Sequence, residues 1–398
     1  SKEVEQMTFS LDNLEDNEDM QEEIIERPGA KNFVIKDEVL AESLPPQERL
    51  ENNINAIRVL KRLEEEDREA SREEQEILAR YVGWGGLSDV FDESKTGQWE
   101  RARNFLKENL NPSEYEACEE STLTAFYTPK PVIDGIYQAL ENMGFEKGNM
   151  LEPSCGVGSF MGSLPESMKE SKVYGVELDS ISGNIAKKLY PENKVQVKGF
   201  EETSFSNNFF DLAVGNVPFG EFKVSDRAYD KNNFLIHDYF FAKSIDKVRS
   251  GGVIAFITSS GTLDKKDDSI RRYIGARCDL LGAIRLPNNT FKGMAGTEVT
   301  SDIIFLQKKD SVIEREEPWY ELGRDDEGLY YNNYFVENPE MILGEMVEVS
   351  GRFGNTMTCK AKDNHDLKTE LFESIKNIKG KIEPIRIERE DGDREPEI

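Results

Sequence analysis

Histidine is almost missing from this chain: only His237 and His365 occur among 398 residues. A Ser/His or Cys/His nucleophile system needs an imidazole beside the attacking group, so that class of chemistry is disfavoured. Cysteine is scarce as well. Cys118, Cys155, Cys278 and Cys359 lie far apart with no pair at metal-ligand spacing, which argues against a zinc site and fits a reduced, cytoplasmic setting. No apolar run approaches the ~20 residues that a membrane-spanning helix needs, and no basic-apolar-small leader opens the chain. The sequence therefore reads as soluble, with no membrane and no metal. It begins at Ser1 rather than Met and reads as a piece of a longer polypeptide.

Positive charge is also in deficit. Fifty Lys and Arg against 78 Asp and Glu leave a net charge of -28, which taken whole speaks against a nucleic-acid binder. The distribution changes that reading. Residues 1–30 hold two basic and ten acidic side chains, whereas 151–310 hold 21 of each. A neutral central region can carry a local basic groove, although the total predicts weak, salt-sensitive DNA binding.

Four stretches are distinguished. Residues 1–30 are acidic and poor in large apolar groups, as in a disordered tail. Residues 31–120 read as a helical N-terminal extension. Ile54, Ile57, Leu60 and Leu63 recur at helical spacing, and a second helix is expected near Ser71, with Glu74 completing a capping box. The glycine-rich YVGWGGLSDVFD then breaks helicity, with Trp84 read as a buried indole in a packed turn. One more helix is expected over about 103–118. From 121 to 310, short apolar runs (GNMLEP, KVYGVEL, KVQVKGF, FFDLAVGN, GGVIAFIT, LLGAIRLP, SDIIFLQK) alternate with helical patterns. That alternation predicts an α/β fold: a mostly parallel, Rossmann-like sheet with helices on both faces. Residues 311–398 read as a C-terminal extension in mixed, charged sequence, ending in an acidic, flexible tail.

Within the sheet region, MLEPSCGVGSF puts a short strand before a turn carrying Gly156 and Gly158. The first strand-to-helix turn of such a sheet binds nucleotide-like ligands, because glycine lets the backbone approach closely. The next strand, VYGVELD, ends in Glu177, where a carboxylate accepts hydrogen bonds from ribose hydroxyls. These features alone suit a dinucleotide enzyme equally. Two details tilt the balance: the full G-x-G-x-x-G is absent, and Glu152 and Pro153 precede the glycines. A carboxylate there repels a pyrophosphate but can receive the ammonium of a methionine moiety.

FFDLAVGNVPFG carries most information. A strand runs into Asn216, Val217, Pro218 and Phe219. Methylating an aromatic amine requires its delocalised lone pair to turn toward the methyl donor. The Asn216 side-chain carbonyl and the Val217 backbone carbonyl can accept the two amino hydrogens and favour that geometry. Pro218 fixes the loop, and Phe219 can stack on a planar target. No histidine base is then needed.

The set Phe126-Tyr127-Thr128-Pro129, LEPSCGVG, GVELD and NVPFG resembles the adenine-N6 DNA methyltransferases, in the order found in type I modification subunits. YVGWGGLSDVFD, GNVPFGEFKVSD and LPNNTFKGMAGTEVTSDIIFLQ extend the resemblance to large phage and conjugative-element proteins that join a methylase to a Swi/Snf-type helicase. It covers about Lys31 to Lys309. The resemblance implies an S-adenosylmethionine cofactor, a DNA substrate whose adenine is flipped out, and a helicase-like portion elsewhere in the polypeptide. It places Tyr127, Thr128 and Pro129 against the methionine end of the cofactor, with Glu152, Pro153, Cys155, Gly156, Gly158 and Asn216 nearby and Glu177 on the ribose. It places Phe291 against the flipped base, across from Phe219. Where relatives carry an acidic residue followed by Phe to hold the cofactor adenine, this chain reads Gly199-Phe200-Glu201. Phe200 is left to stack there, and the partner of the adenine amino group is open. Lys265, Lys266, Arg271, Arg272 and Lys292 are the cations expected beside the active face. Two rival readings remain: a protein glutamine-N5 methyltransferase, and an inactive module that keeps the fold for binding DNA or a protein. A dehydrogenase leaves Asn216 to Phe219 without a task.

Overall fold

The computed structural model describes residues 30–36, 44–122, 128–291, 299–352 and 354–385. Each of the seven apolar runs forms a strand: β1 Asn149–Glu152, β2 Lys172–Glu177, β3 Lys194–Val197, β4 Phe210–Asn216, β5 Val248–Ser259, β6 Cys278–Leu286 and β7 Ser301–Lys308. They make one sheet in the order β3-β2-β1-β4-β5-β7-β6. β7 runs antiparallel to its neighbours β5 and β6, and the other pairings are parallel. The central strands read as near-continuous apolar runs because both their faces are covered: every residue from Ile254 to Ile257, for example, is buried, whereas the edge strand β3 is only half-buried.

The order has a functional consequence. After β1 the chain winds outward through β2 and β3, then returns to place β4 on the other side of β1. A doubly wound sheet opens a crevice at such a reversal, outside the carboxyl ends of the strands. The Gly156–Gly158 turn leaves β1 and the Asn216 loop leaves β4, and these strands pair directly, with Leu151 opposite Ala213. Both turns therefore emerge side by side at one rim.

The N-terminal extension packs on the helix Ser180–Leu189 that follows β2. Its helix Pro46–Glu65 buries Ile54, Ile57, Leu60 and Leu63, and Ser71 and Glu74 close the expected capping box of the helix Arg72–Leu78. Gln75 then donates from Nε2 to the Lys188 carbonyl oxygen at 3.1 Å, tying that helix to Ser180–Leu189 behind β2. Trp84 is buried, and its indole N–H donates to the Tyr81 hydroxyl at 3.0 Å. Over 103–118 the single expected helix is two, Gln98–Asn109 and Pro112–Ser121, because Asn111 starts a second capping box with Glu114 and Pro112 follows at the first turn.

The sequence after Asp310 is more ordered than its composition suggested. Residues 311–385 contribute the helix Leu367–Ser374, which packs on Lys130–Asn142, and the hairpin Glu345–Gly351/Gly354–Lys360. They are anchored by one buried ion cluster. Arg285, fully buried on β6, meets Asp302 on β7 and Asp264 beyond β5, each through two bonds of 2.8–2.9 Å. The Asn332 N–H donates to Asp264 at 3.0 Å, and Leu343 N–H donates to the Arg285 carbonyl at 2.8 Å. Residues 386–398, including the expected acidic tail, and residues 1–29 lie outside the described residues. Among the described residues no helix is long and apolar enough to cross a membrane.

Candidate active site

β1 delivers Glu152 to the rim almost fully buried, and its Oε2 has no hydrogen-bond partner among the described residues. Burial, with the Glu177 charge nearby, pushes its carboxyl well above the usual range. A buried acceptor without a donor is costly, so the position is suited to a cationic or hydrogen-bonding ligand group. The chain then turns through Pro153 and Cys155, whose thiol burial pushes up. Gly158 sits at φ 91°, where a Cβ would meet the Tyr190 ring at 2.4 Å. Gly156, at φ 55°, has nothing within 4 Å of where its Cβ would lie. The turn is thus closed toward the protein and open toward the crevice.

Glu177 ends β2 one strand away. Its Oε1 accepts from the Gly156 N–H at 2.9 Å and its Oε2 from the Asp179 N–H at 2.8 Å. Burial nevertheless raises its carboxyl to about 7. The carboxylate therefore braces the glycine turn, and its remaining lone pairs are available to hydroxyl donors.

On β4, Asn216 pairs in register with Ile257, and the Val217 N–H donates to the Ile257 carbonyl at 3.0 Å, fixing the first peptide of the loop. Asn216 Nδ2 donates to Thr128 Oγ1 at 3.3 Å. With the amide nitrogen engaged, Oδ1 is the atom left for an incoming amine. A Cβ at Gly215 would lie 3.6 Å from Glu152 Cγ, so the root of the loop runs beside the Glu152 side chain. Pro218 and Phe219 follow, both half-buried.

The remaining candidates fall as follows. Thr128 and Pro129 are buried at the start of Lys130–Asn142, while Tyr127 lies outside the described residues. Phe291 is buried in the loop after β6. Phe200 is buried too, its ring 5.0 Å from that of Phe240 and 6.0 Å from that of Tyr239, with Lys243 Nζ over it. Lys265 and Lys266 are exposed, and Lys292 lies outside the described residues. Arg271 does not face solvent: it is buried and donates to the carbonyls of Tyr320, Thr262 and Lys265, so it holds the fold together.

Sequence reasoning missed Glu201. A Cβ placed on Gly199 would lie 2.2–2.4 Å from the Glu201 carboxylate, so this carboxylate folds back over Gly199 at the end of β3. The missing side chain at 199 is what admits it. Sequence reasoning also missed the Thr128–Asn216 bond, which joins residues 88 positions apart.

The sheet order, the reversal between β1 and β4 and the antiparallel β7 define a Rossmann-like methyltransferase fold. The family model for N-6 DNA methylases matches residues 113–320, just over half of the chain. The chain belongs to this family of S-adenosylmethionine-dependent methyltransferases. It is 29% identical over 242 residues to Defense against restriction protein B of Escherichia phage P1, a match covering 59% of this chain and 9% of that protein. It is 28% identical over 140 residues to the modification methylase CviBIII of Paramecium bursaria Chlorella virus NC1A, covering 34% of this chain and 37% of that one. Among solved structures, the modification subunit of a putative type I restriction enzyme from Vibrio vulnificus aligns with a TM-score of 0.40 and 16% identity, over 64% of this chain and 71% of that one. The chain thus spans well under half the length of these two curated relatives.

Proposed function

We propose that this chain transfers the methyl group of S-adenosylmethionine to the N6 amino group of adenine in DNA, on a base turned out of the duplex. The observation that supports this best is the adjacency of two turns: the glycine turn with its unpartnered Glu152 carboxylate, and the Asn216 loop, on paired strands at one rim. When bound, the cofactor supplies an electrophilic sulfonium methyl. Glu152 receives its ammonium, Gly156 and Gly158 admit its backbone-like end, and Glu177 accepts from the ribose. Glu201 takes the position an acidic residue at 199 would fill and accepts from the adenine amino group. Phe200 backs this site from beneath.

Asn216 Oδ1 and the Val217 carbonyl accept the two amino hydrogens of the target adenine and hold its nitrogen lone pair toward the donor. Thr128 keeps the Asn216 amide in that orientation, while Phe219 and Phe291 hold the extruded ring. The proposed setting is a larger polypeptide with a helicase-like portion, protecting mobile DNA from restriction. Treating duplex DNA with methyl-labelled cofactor and digesting it to nucleosides tests the reading. Label in N6-methyladenine is expected; label only on a protein acceptor would give the loop to a glutamine amide instead.

Cofactor affinity should depend on pH. Glu177 titrates near 7 in the folded protein, and Glu152 is raised as well. Both are required as carboxylates, so protons compete with the ligand, and affinity is lost as pH falls through about 7, where Glu177 takes up its proton. Calorimetry should show binding at least about tenfold weaker at pH 6 than at pH 8, with a smaller drop in Glu177→Gln. A dissociation constant flat over this range would remove Glu177 from the site.

A further inference from the structure

The hairpin Glu345–Gly351/Gly354–Lys360 has an outer half that packing within the protein does not explain. Its register runs unbroken from Glu345 opposite Lys360 to Gly351 opposite Gly354. Met346 and Cys359 are buried at its root, whereas 348–352 and 354–356 are exposed on both strands. A two-stranded ribbon gains little from its own contacts and leaves two bare edges.

The segment leading into it is held by two contacts. Ile342 bridges Arg285 in parallel, and the Leu343 N–H donates to the Arg285 carbonyl. The segment entering the hairpin thus runs the same way as β6, which ends at Leu286 on the catalytic rim. The chain then bends at Leu343 and Gly344, and beyond the bend the strand Glu345–Gly351 is about 20 Å long at ~3.3 Å per residue. The return strand is fastened to the loops at the rim. The Asn288 N–H donates to the Cys359 carbonyl at 2.7 Å, and Asn288 Nδ2 donates to Thr358 Oγ1 at 3.1 Å. The Cys359 N–H donates to Thr300 Oγ1 at 2.9 Å. Asn288 and Thr300 flank the loop that carries Phe291.

We propose that this hairpin is a DNA-reading ribbon that enters the major groove beside the extruded adenine and sets the sequence context of methylation. The inference rests on the adenine-methyltransferase reading above. The B-DNA major groove, ~12 Å wide, admits a two-stranded ribbon. The outer half carries Glu348, Ser350, Asn355 and Thr356, the side-chain types that read cytosine N4 and adenine N6 and N7; the Ser350 hydroxyl donates to Asn355 Oδ1 at 3.0 Å and leaves the Asn355 amide nitrogen to donate to a base. Among the described residues of this half, Val349 is the one large aliphatic side chain exposed. A protein partner would call for an apolar centre to the contact, so the chemistry favours base edges.

The test places a photo-cross-linking benzoylphenylalanine at Asn355 and irradiates the full chain with duplex DNA and S-adenosylhomocysteine, a readout that needs no turnover. Cross-links to bases within about half a helical turn, ~5 base pairs, of a methylated adenine are expected. In parallel, Glu348 to Met357 are replaced by Asn-Gly, a two-residue turn that closes the ribbon at Val347 and Thr358. This variant should keep its S-adenosylmethionine affinity and its activity on single-stranded adenine. It should lose site preference, with kcat/KM at favoured duplex sites reduced at least tenfold. Methylation by the parent chain without a cross-link from 355, together with an unchanged site profile in the trimmed variant, overturns the ribbon while leaving the enzyme reading intact. Cross-links to DNA with no N6-methyladenine formed overturn the enzyme reading instead. Capture of a protein rather than DNA, or no DNA bound at all, also overturns the assignment.

Discussion

Asn216→Ala should reduce methyl transfer to DNA by at least about a thousandfold while S-adenosylmethionine still binds with a dissociation constant within about tenfold of the parent. Loss of one oriented polar group at a reacting centre costs ~10²–10³ in rate. Asn216 is asked both to accept an amino hydrogen and to align the nitrogen. The fold should survive, because Asn216 is only half-buried at a strand end and its side chain makes one long bond, to Thr128. Two companion variants separate chemistry from packing. Asn216→Asp keeps oxygen acceptors at the same place and can accept from the Thr128 hydroxyl, so it should retain more activity than the alanine variant. Thr128→Val removes the acceptor that orients the amide and should lower kcat about tenfold with KM little changed. Single-turnover assays on duplex and single-stranded DNA check all three. Activity in Asn216→Ala within a few-fold of the parent would take Asn216 out of the mechanism.

The sheet was legible because each strand is a short apolar run ended by a glycine, a proline or a charged loop, and because burial on both faces removes any need for alternation. The glycine turn was legible for a related reason. At Gly158 the backbone is left-handed and a Tyr190 ring fills the space of a side chain, so the residue type itself reports the geometry. Relations that depend on two distant segments left no such mark. Nothing in the spacing of Thr128 and Asn216 shows that they meet, and Glu201 declares its position only once the empty side of Gly199 is seen in three dimensions. Phe200 is buried against Tyr239 and Phe240, packing that nothing in the local sequence announces. The Asn111-Pro112-Ser113-Glu114 start signal was present in the sequence, but apolar periodicity on both sides hid the break. The hairpin at 345–360 was missed for the opposite reason. Strand recognition depends on one face being buried, and its outer half has neither face buried.

Arg285→Ala should destabilise the folded protein by roughly 3–5 kcal/mol at neutral pH, the range expected when one partner of a buried ion cluster is removed. Arg285 and Asp302 are both fully buried, and the guanidinium also spans to Asp264 while lying 4.5 Å from the Phe335 ring centroid. The loss would therefore leave a carboxylate with no counter-charge in the sheet. The sign of the pH dependence follows from Asp302. Burial already raises its carboxyl above the usual range even with Arg285 beside it, and removing the arginine raises it further. A carboxyl whose folded value exceeds its unfolded one takes up a proton on folding, so its penalty grows as pH rises above the unfolded value and shrinks in acid. Urea unfolding should accordingly show the deficit of the variant largest near pH 7.5 and clearly smaller near pH 5. The same change should loosen the contacts from Asn332 and Leu343 that seat the post-310 segment, so limited proteolysis should cut 311–385 before the seven-stranded sheet. A deficit below about 1 kcal/mol with no pH trend would mean that the cluster only breaks even against its desolvation, and that the C-terminal segment is held by its apolar contacts alone.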